Sequence, residues 1–332
     1  MLKLSKDWDL TMWKTNLSIV KKIFIVAFIF SFMIVTVGCS VKVQESTPNN
    51  GVTFTDDLGR EITIAKNPKR VATLIGSFAD VWLLAGGTVC ATAEDAWNDF
   101  ELELNGAVNI GGAHSPSFET LLSAEPDFVI ASASTSSNVD MKEALENVGI
   151  TVAYFDVDCF EDYLNMLNIC TDITQRKDLY TKNGLDIQSK IESIKKEYSN
   201  KGISNKEKKV LLLRASSGFV KAKGSEGTIL GEMLKDFGCV NIADNNKDLL
   251  ENLSVESVIQ QEPYHIFVTT MGDDTEKAMN NLTRMMEESP AWGTLGAVKE
   301  NRLHIMDRKL FNIKPNADWA VSYEKLSEIL LG

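Results

Sequence analysis

The ten residues SFETLLSAEP at positions 117–126 return as SVESVIQQEP at positions 254–263, 137 residues further along a chain of 332. Four positions are identical (Ser, Glu, Glu, Pro) and four more are conservative. In each copy the leading serine suits a helix N-cap, and the apolar residues recur at i, i+3 and i+4. Each copy closes on a proline that stops the helix just before an apolar strand, DFVIAS after the first and YHIFVTT after the second. A supersecondary unit written twice constrains the chain to two similar lobes.

The pattern around the copies says what kind of lobe. VTFT and REITI flank the turn formers DDLG, which predicts a hairpin. From Arg70 onward, strand and helix alternate through VATLIG, FADVWLLAGG, TVCATA and AVNIGG, and then through the first copy to TVAYFDV. Between Phe160 and Asn200 the strand signals vanish. EDYLNMLNICTDI and the 25-residue stretch from Arg176 to Asn200 have helical spacing, and the latter is long enough, at about 37 Å, to cross a whole domain. Gly184 weakens that helix without having to break it. The βα alternation resumes at KVLLLRAS. The expected fold class is α/β, with two Rossmann-like βα lobes bridged by a single long α-helix and a ligand cleft between the lobes. The expected boundaries are 51–157 for the N-terminal lobe, 158–201 for the connecting helical segment and 202–332 for the C-terminal lobe.

The N-terminus reads as an export signal. Residues 23–37 are an uncharged apolar run preceded by Lys21 and Lys22 and followed by Gly38 and Cys39. Residues 1–38 are expected to be a lipoprotein signal peptide and Cys39 the lipidated N-terminus of the mature protein. The polar stretch 39–50 is expected to be a flexible tether. The alternative is an uncleaved membrane anchor, since the uncharged stretch extends to Val41; Thr36 stands where the common processing site has leucine. Both readings put the remainder outside the cytoplasm. Asp7 and Asp9 are unusual in a basic leader, which makes Met12 a second candidate start.

The formal charge is −12, and cleavage before Cys39 leaves 29 basic against 44 acidic residues. That surface repels phosphate backbones, so no nucleic-acid partner is expected. Cys90, Cys159, Cys170 and Cys239 lack zinc-ligand spacing and are expected to be buried thiols. The chain also lacks H-E-x-x-H, G-x-S-x-G, a phosphate-binding loop and a dinucleotide fingerprint. A binding protein is therefore expected rather than an enzyme, the rival being an enzyme on a two-lobed α/β scaffold.

Taken in order, FTDDLGREITIAKNPKRVATL, the S-x-E-x-x-x-x-x-x-P helix leading to PDFVIAS, the lone connecting helix and PAWGTLGAVKENRLHIMD resemble the solute-binding proteins of ABC importers for ferric siderophores, heme and cobalamin. The resemblance spans about residues 51–331. It implies a monomer that encloses its ligand between two lobes, with a connecting helix that permits limited closure. It also implies that a glutamate at the tip of each lobe meets arginines on the importer's membrane subunits. The matching residues are Glu119 and Glu256. A first-turn carboxylate is favoured by the helix dipole in any case.

In open α/β sheets the ligand lies beyond the carboxyl ends of the strands. That rule selects Ser77 and Phe78, residues 95–97, 112–115, 132–137 and 214–223, Met271 and Gly272, and the segment after Asp307. Of the three histidines, His265 and His304 lie in strand patterns and are expected to be packed side chains with a satisfied nitrogen. His114 stands in the loop NIGGAHSP. In the heme receptors that the sequence resembles, one axial iron ligand comes from this loop and the other from the loop that here offers Met271. Imidazole and thioether form a known ligation pair. Heme is the leading ligand on this reading, with Arg214, Lys221 and Lys223 for its propionates and Trp97 and Phe219 against its flat faces. A ferric siderophore fits the same cationic and aromatic residues without a protein ligand to the metal, and cobalamin would use the aromatic ones.

Overall fold

The computed structural model describes residues 51–272 and 274–332. The expected leader, the lipidated Cys39 and the tether lie outside the described residues. Among the described residues no helix is long and apolar enough to cross a membrane.

The chain opens on the expected hairpin, β1 (Gly51–Thr55) against β2 (Glu61–Ala65). Ile62 and Ile64 point inward from β2 and their neighbours outward, the alternation of a half-buried strand. Its turn is held by the Asp56 carboxylate, which accepts the backbone N–H of Arg60 at 3.0 Å, that of Tyr154 at 3.2 Å and the Arg60 guanidinium at 2.5 Å.

The N-terminal lobe carries β3 (Val71–Thr73), β4 (Val89–Thr92), β5 (Val108–Asn109), β6 (Phe128–Ser132) and β7 (Thr151–Phe155). They form one parallel sheet in the order β5-β4-β3-β6-β7. The C-terminal lobe has β8 (Lys209–Ala215), β9 (Val220–Ala222), β10 (Val240–Asn241), β11 (His265–Thr270) and β12 (Leu303–Ile305). Its parallel path is β10-β8-β11-β12, and β9 adds to β8 antiparallel, a hairpin inside an otherwise parallel sheet. The path β4-β3-β6-β7 therefore matches β10-β8-β11-β12, strand for strand.

The repeated segments occupy the same place in both lobes. Helix Phe118–Ser123 leads into β6 and helix Val255–Gln261 into β11. Ser117 Oγ accepts the Thr120 N–H at 3.2 Å and Ser254 Oγ accepts the Ser257 N–H at 3.3 Å, so both serines are N-caps. Glu125 and Glu262, each just before the proline, turn into the left-handed region at φ 47° and 46°.

The segment 158–201 is helical. Helix Phe160–Thr174 ends at Gln175, and residues 177–199 then run as one helix with a π turn at Thr181–Leu185. Gly184 sits in that turn, where a β-carbon would lie 2.7 Å from Leu164 Cδ1. Glycine here lets the two helices press together.

Three apolar clusters divide the interior. One fills the outer face of the N-terminal sheet around Leu74, Ile110, Leu121 and Tyr154, and one the outer face of the C-terminal sheet around Leu211, Val258, Val268 and Trp292. The third is shared. It runs from Phe78, Trp82 and Phe155 through Phe160 and Tyr163 of the connecting segment to Leu212 of β8 and to Trp319 and Tyr323 of the last helix. A continuous core of this kind resists wide separation of the lobes. The four cysteines are free thiols; Cys170 and Cys239 are buried as expected, whereas Cys90 and Cys159 are only half-buried.

Candidate functional site

Because every lobe strand except β9 runs parallel, their carboxyl ends gather on one edge of each sheet. Beyond those ends lies a cavity of about 560 Å³ lined by both halves of the chain. Glu94, Asp95, Asn98, Asp99, His114 and Ser115 come from the N-terminal lobe, Arg308 and Ile313 from the segment after β12.

Backbone chemistry fixes the N-terminal wall. Asp95 starts the short helix Asp95–Asn98 and accepts the N–H of Gly76 at 2.9 Å. Its other oxygen is buried without a partner, and burial, opposed in part by the Gly76 bond, raises its pKa. The loop bearing His114 is pinned at Ala113, whose carbonyl accepts Ser137 Oγ at 3.1 Å and Asn138 Nδ2 at 3.3 Å. His114 is itself exposed to the cavity.

The two walls meet at one ion pair. The Arg308 guanidinium donates through Nη1 to the Asp99 carboxylate, across 209 positions of sequence, and Arg308 Nε is buried without an acceptor. Nearby, Asn316 is fully buried and donates to Ser77 O and to Asp80 Oδ2, both at 2.9 Å. Lys314 lies 5.9 Å from the centre of the Phe78 ring, and loss of water pushes its pKa down although Asp158 and Asp156 oppose this.

The remaining expected residues are distributed as follows. Trp97 is half-buried on the helix Asp95–Asn98, between lining residues, without lining the cavity itself. Arg214 of β8 stands opposite Lys221 of β9, and Lys223 follows on the same face. Burial lowers the pKa of Arg214 and of Lys223, and the charges of Arg214 and Lys221 lower that of Lys223 further. Among the described residues no carboxylate forms a salt bridge with these three cations. Lys221 Nζ lies 4.9 Å from the Phe219 ring centre, and Phe219 is exposed. Met271 follows β11, bonded by its N–H to Ala215 O at 2.9 Å, and is exposed. It does not line the cavity that His114 lines. Glu119 and Glu256 are both exposed in the first turns of the repeated helices, and Ser254 Oγ donates to Glu256 at 3.1 Å.

His265 and His304 are packed as expected, with Nδ1 of the first 3.0 Å from Nε2 of the second, but the other nitrogen of His265 is buried without a partner. Sequence reasoning missed Glu94 and Asp99, which lie one residue before and two residues after the named stretch 95–97; Arg308 falls in the named segment after Asp307 but was given no role.

The family model described as periplasmic binding protein matches residues 71–310. The putative ABC transporter substrate-binding lipoprotein YhfQ of Bacillus subtilis (strain 168) is 23% identical over 318 residues, covering 90% of this chain and 95% of the relative. Among solved structures, Staphylococcus aureus SirA complexed with staphyloferrin B superposes with a TM-score of 0.61 at 20% identity, covering 84% of this chain and 97% of that one. S. aureus IsdE complexed with heme gives 0.65 at 15% identity, covering 79% and 99%.

Proposed function

The chain belongs to the periplasmic binding protein family, and on that premise we propose that it captures a polar, negatively charged iron chelate outside the cytoplasm and hands it to the membrane subunits of an ABC importer. One observation carries the choice of solute. The Arg308 guanidinium lines the cavity among the carboxylates of Glu94, Asp95 and Asp99, and at the carboxyl end of the C-terminal sheet β8 and β9 carry the further cations Arg214 and Lys221, followed by Lys223. Guanidinium and ammonium groups recognise carboxylate and phenolate oxygens by charge-assisted hydrogen bonds. A ferric siderophore presents such oxygens around a metal it already saturates, so the protein need supply no ligand to the iron. The SirA likeness, solved with staphyloferrin B, is consistent with that chemistry.

Heme is the second reading, favoured by the position of His114 in the cavity lining and by the IsdE likeness. In it His114 ligates the iron, Met271 reaches the opposite side after a movement of its loop, and Trp97 and Phe219 flank the macrocycle. Cobalamin would use the same aromatic residues.

Under either reading Cys39 holds the protein to the membrane by its lipid, residues 39–50 act as the tether, and Glu119 and Glu256 dock on the permease. The solute is cargo, and no catalytic step is assigned. Tryptophan emission of the full-length protein, followed while ferric citrate, iron-free citrate and hemin are added separately, tests the proposal. Saturable quenching by ferric citrate alone supports the siderophore-type solute. A saturable Soret band with hemin that shifts in His114→Ala selects heme instead. No saturation with any of them would remove iron chelates as the solute class.

A further inference from the structure

We propose that Asp99 is a specificity residue for the cleft: its carboxylate occupies Arg308 in place of an anionic group of the solute, so only a solute whose anion outcompetes Asp99 gains that guanidinium. The inference rests on the reading of the solute as an anionic chelate and adds to it a named competitor inside the site.

The geometry of the pair is the basis. Arg308 and Asp99 belong to opposite walls of one cavity, so their bond links the two walls directly. The backbone on each side is fixed independently of the pair. Asp307 caps the helix Arg308–Phe311 by accepting the Leu310 N–H at 2.9 Å, and Asp99 closes the helix Asp95–Asn98 through its own N–H to Asp95 O at 2.9 Å. The side chains, at 25% and 19% exposure, remain within reach of anything that enters.

The bond is also incomplete. Asp99 is hydrogen-bonded only to Nη1, and Nε is buried with no acceptor. A buried donor left unpaired is unfavourable, and a guanidinium offers a carboxylate its strongest bond through two parallel N–H groups. Turning the long Arg308 side chain toward a bidentate anion in the cavity breaks a one-point bond, forms a two-point bond and relieves the orphaned Nε. A monodentate or neutral ligand offers no such exchange. Asp99 thus raises the threshold for occupancy and discriminates by the number of oxygens a solute presents.

Only the Arg308 population released from Asp99 is ready for the solute, so the apparent affinity is reduced by that fraction. For an ion pair that is mostly but not fully buried the expected gain on removing the competitor is roughly three- to tenfold. The test compares Asp99→Asn, Arg308→Gln and the double variant of the full-length protein in titrations with ferric citrate, which carries free carboxylates, and with ferrioxamine B, which carries none. The expected result is that Asp99→Asn binds ferric citrate roughly three- to tenfold more tightly, that the gain vanishes on the Arg308→Gln background, and that ferrioxamine B shows no gain. Weaker or unchanged binding of ferric citrate by Asp99→Asn overturns the inference, and so does a gain that persists without Arg308, which would be general charge repulsion. Wild-type protein that binds ferric citrate while failing these comparisons leaves the solute reading standing; wild-type protein that binds neither probe overturns both.

Discussion

Gly76 donates its backbone N–H to the Asp95 carboxylate at 2.9 Å, and a β-carbon at position 76 would stand 2.3 Å from the backbone nitrogen of Ala96. The first helix of the lobe and the short helix that lines the cavity therefore touch backbone to backbone. The C-terminal lobe makes a similar tie, Ser225 N–H to Asp244 at 2.6 Å. Gly76→Ala is expected to lower unfolding free energy by about 1–3 kcal/mol, the usual penalty for overpacking, and to weaken chelate binding because Asp95, Asn98 and Asp99 move together. Urea midpoints and titrations of the same variant check both effects; an unchanged midpoint would show that the contact gives way freely.

A second prediction concerns acid. Burial first, then the charges of His304 and Arg302, hold the pKa of His265 down to about 4 from an ordinary 6.5, with Glu207 opposing, and burial and Arg302 lower that of His304. Protonation thus favours the unfolded chain. Stability is complete above the ordinary histidine pKa and falls as pH drops from about 6.5 toward about 4, by on the order of 2–3 kcal/mol. His265→Phe, a flat ring beside Phe267, is expected to remove most of this loss. Urea midpoints that stay level from pH 7 to pH 4.5 in wild-type protein would contradict it.

The Asp56 carboxylate yields a third. Its side chain is fully buried; burial alone would raise its pKa, but the bonds from Arg60 and the Tyr154 N–H outweigh that and hold it below the ordinary 3.8. Its contribution is present above that value and is lost as pH falls below it. Asp56→Ala takes the acceptor from the backbone N–H groups of Leu58, Arg60 and Tyr154 and leaves the Arg60 guanidinium to Glu146 and the Val152 carbonyl, and is expected to destabilise by about 3 kcal/mol, measured by urea unfolding at pH 7.

Much of the fold can be read in the sequence because it depends on local chemistry. The N-caps Ser117 and Ser254, the stops at Pro126 and Pro263 and the hairpin at Asp56 each rest on neighbours within a few residues. The shared core from Phe78 to Trp319 does not, and neither does the bond between Asp99 and Arg308, which joins residues 209 positions apart. The antiparallel β9 was hidden for another reason: three residues after a short turn look the same whichever way they pair. The π turn at Gly184 answers to the packing of Leu164 on it, which no helical periodicity encodes. His114 was legible as a lone imidazole in a polar loop and Asp95 by its place after a strand; Glu94 and Asp99 were not, since carboxylates are common on a chain with 46 of them.

A fourth prediction separates docking from capture. Glu119→Arg with Glu256→Arg is expected to abolish uptake of radio-iron into cells while leaving chelate binding by the purified protein unchanged, because both side chains are exposed and outside the cavity lining. Loss of binding in the purified double variant would assign these glutamates to the fold or the pocket.

Equilibrium dialysis of the full-length protein against radio-iron-labelled ferric citrate bears most directly on the claim that an anionic chelate is held between the lobes. Wild-type protein should retain one chelate per chain, Arg308→Glu should lose that retention, and Arg284→Glu, an exposed change on the helix Thr275–Glu288, should keep it. No retention by wild-type protein, or equal retention by both variants, would contradict it.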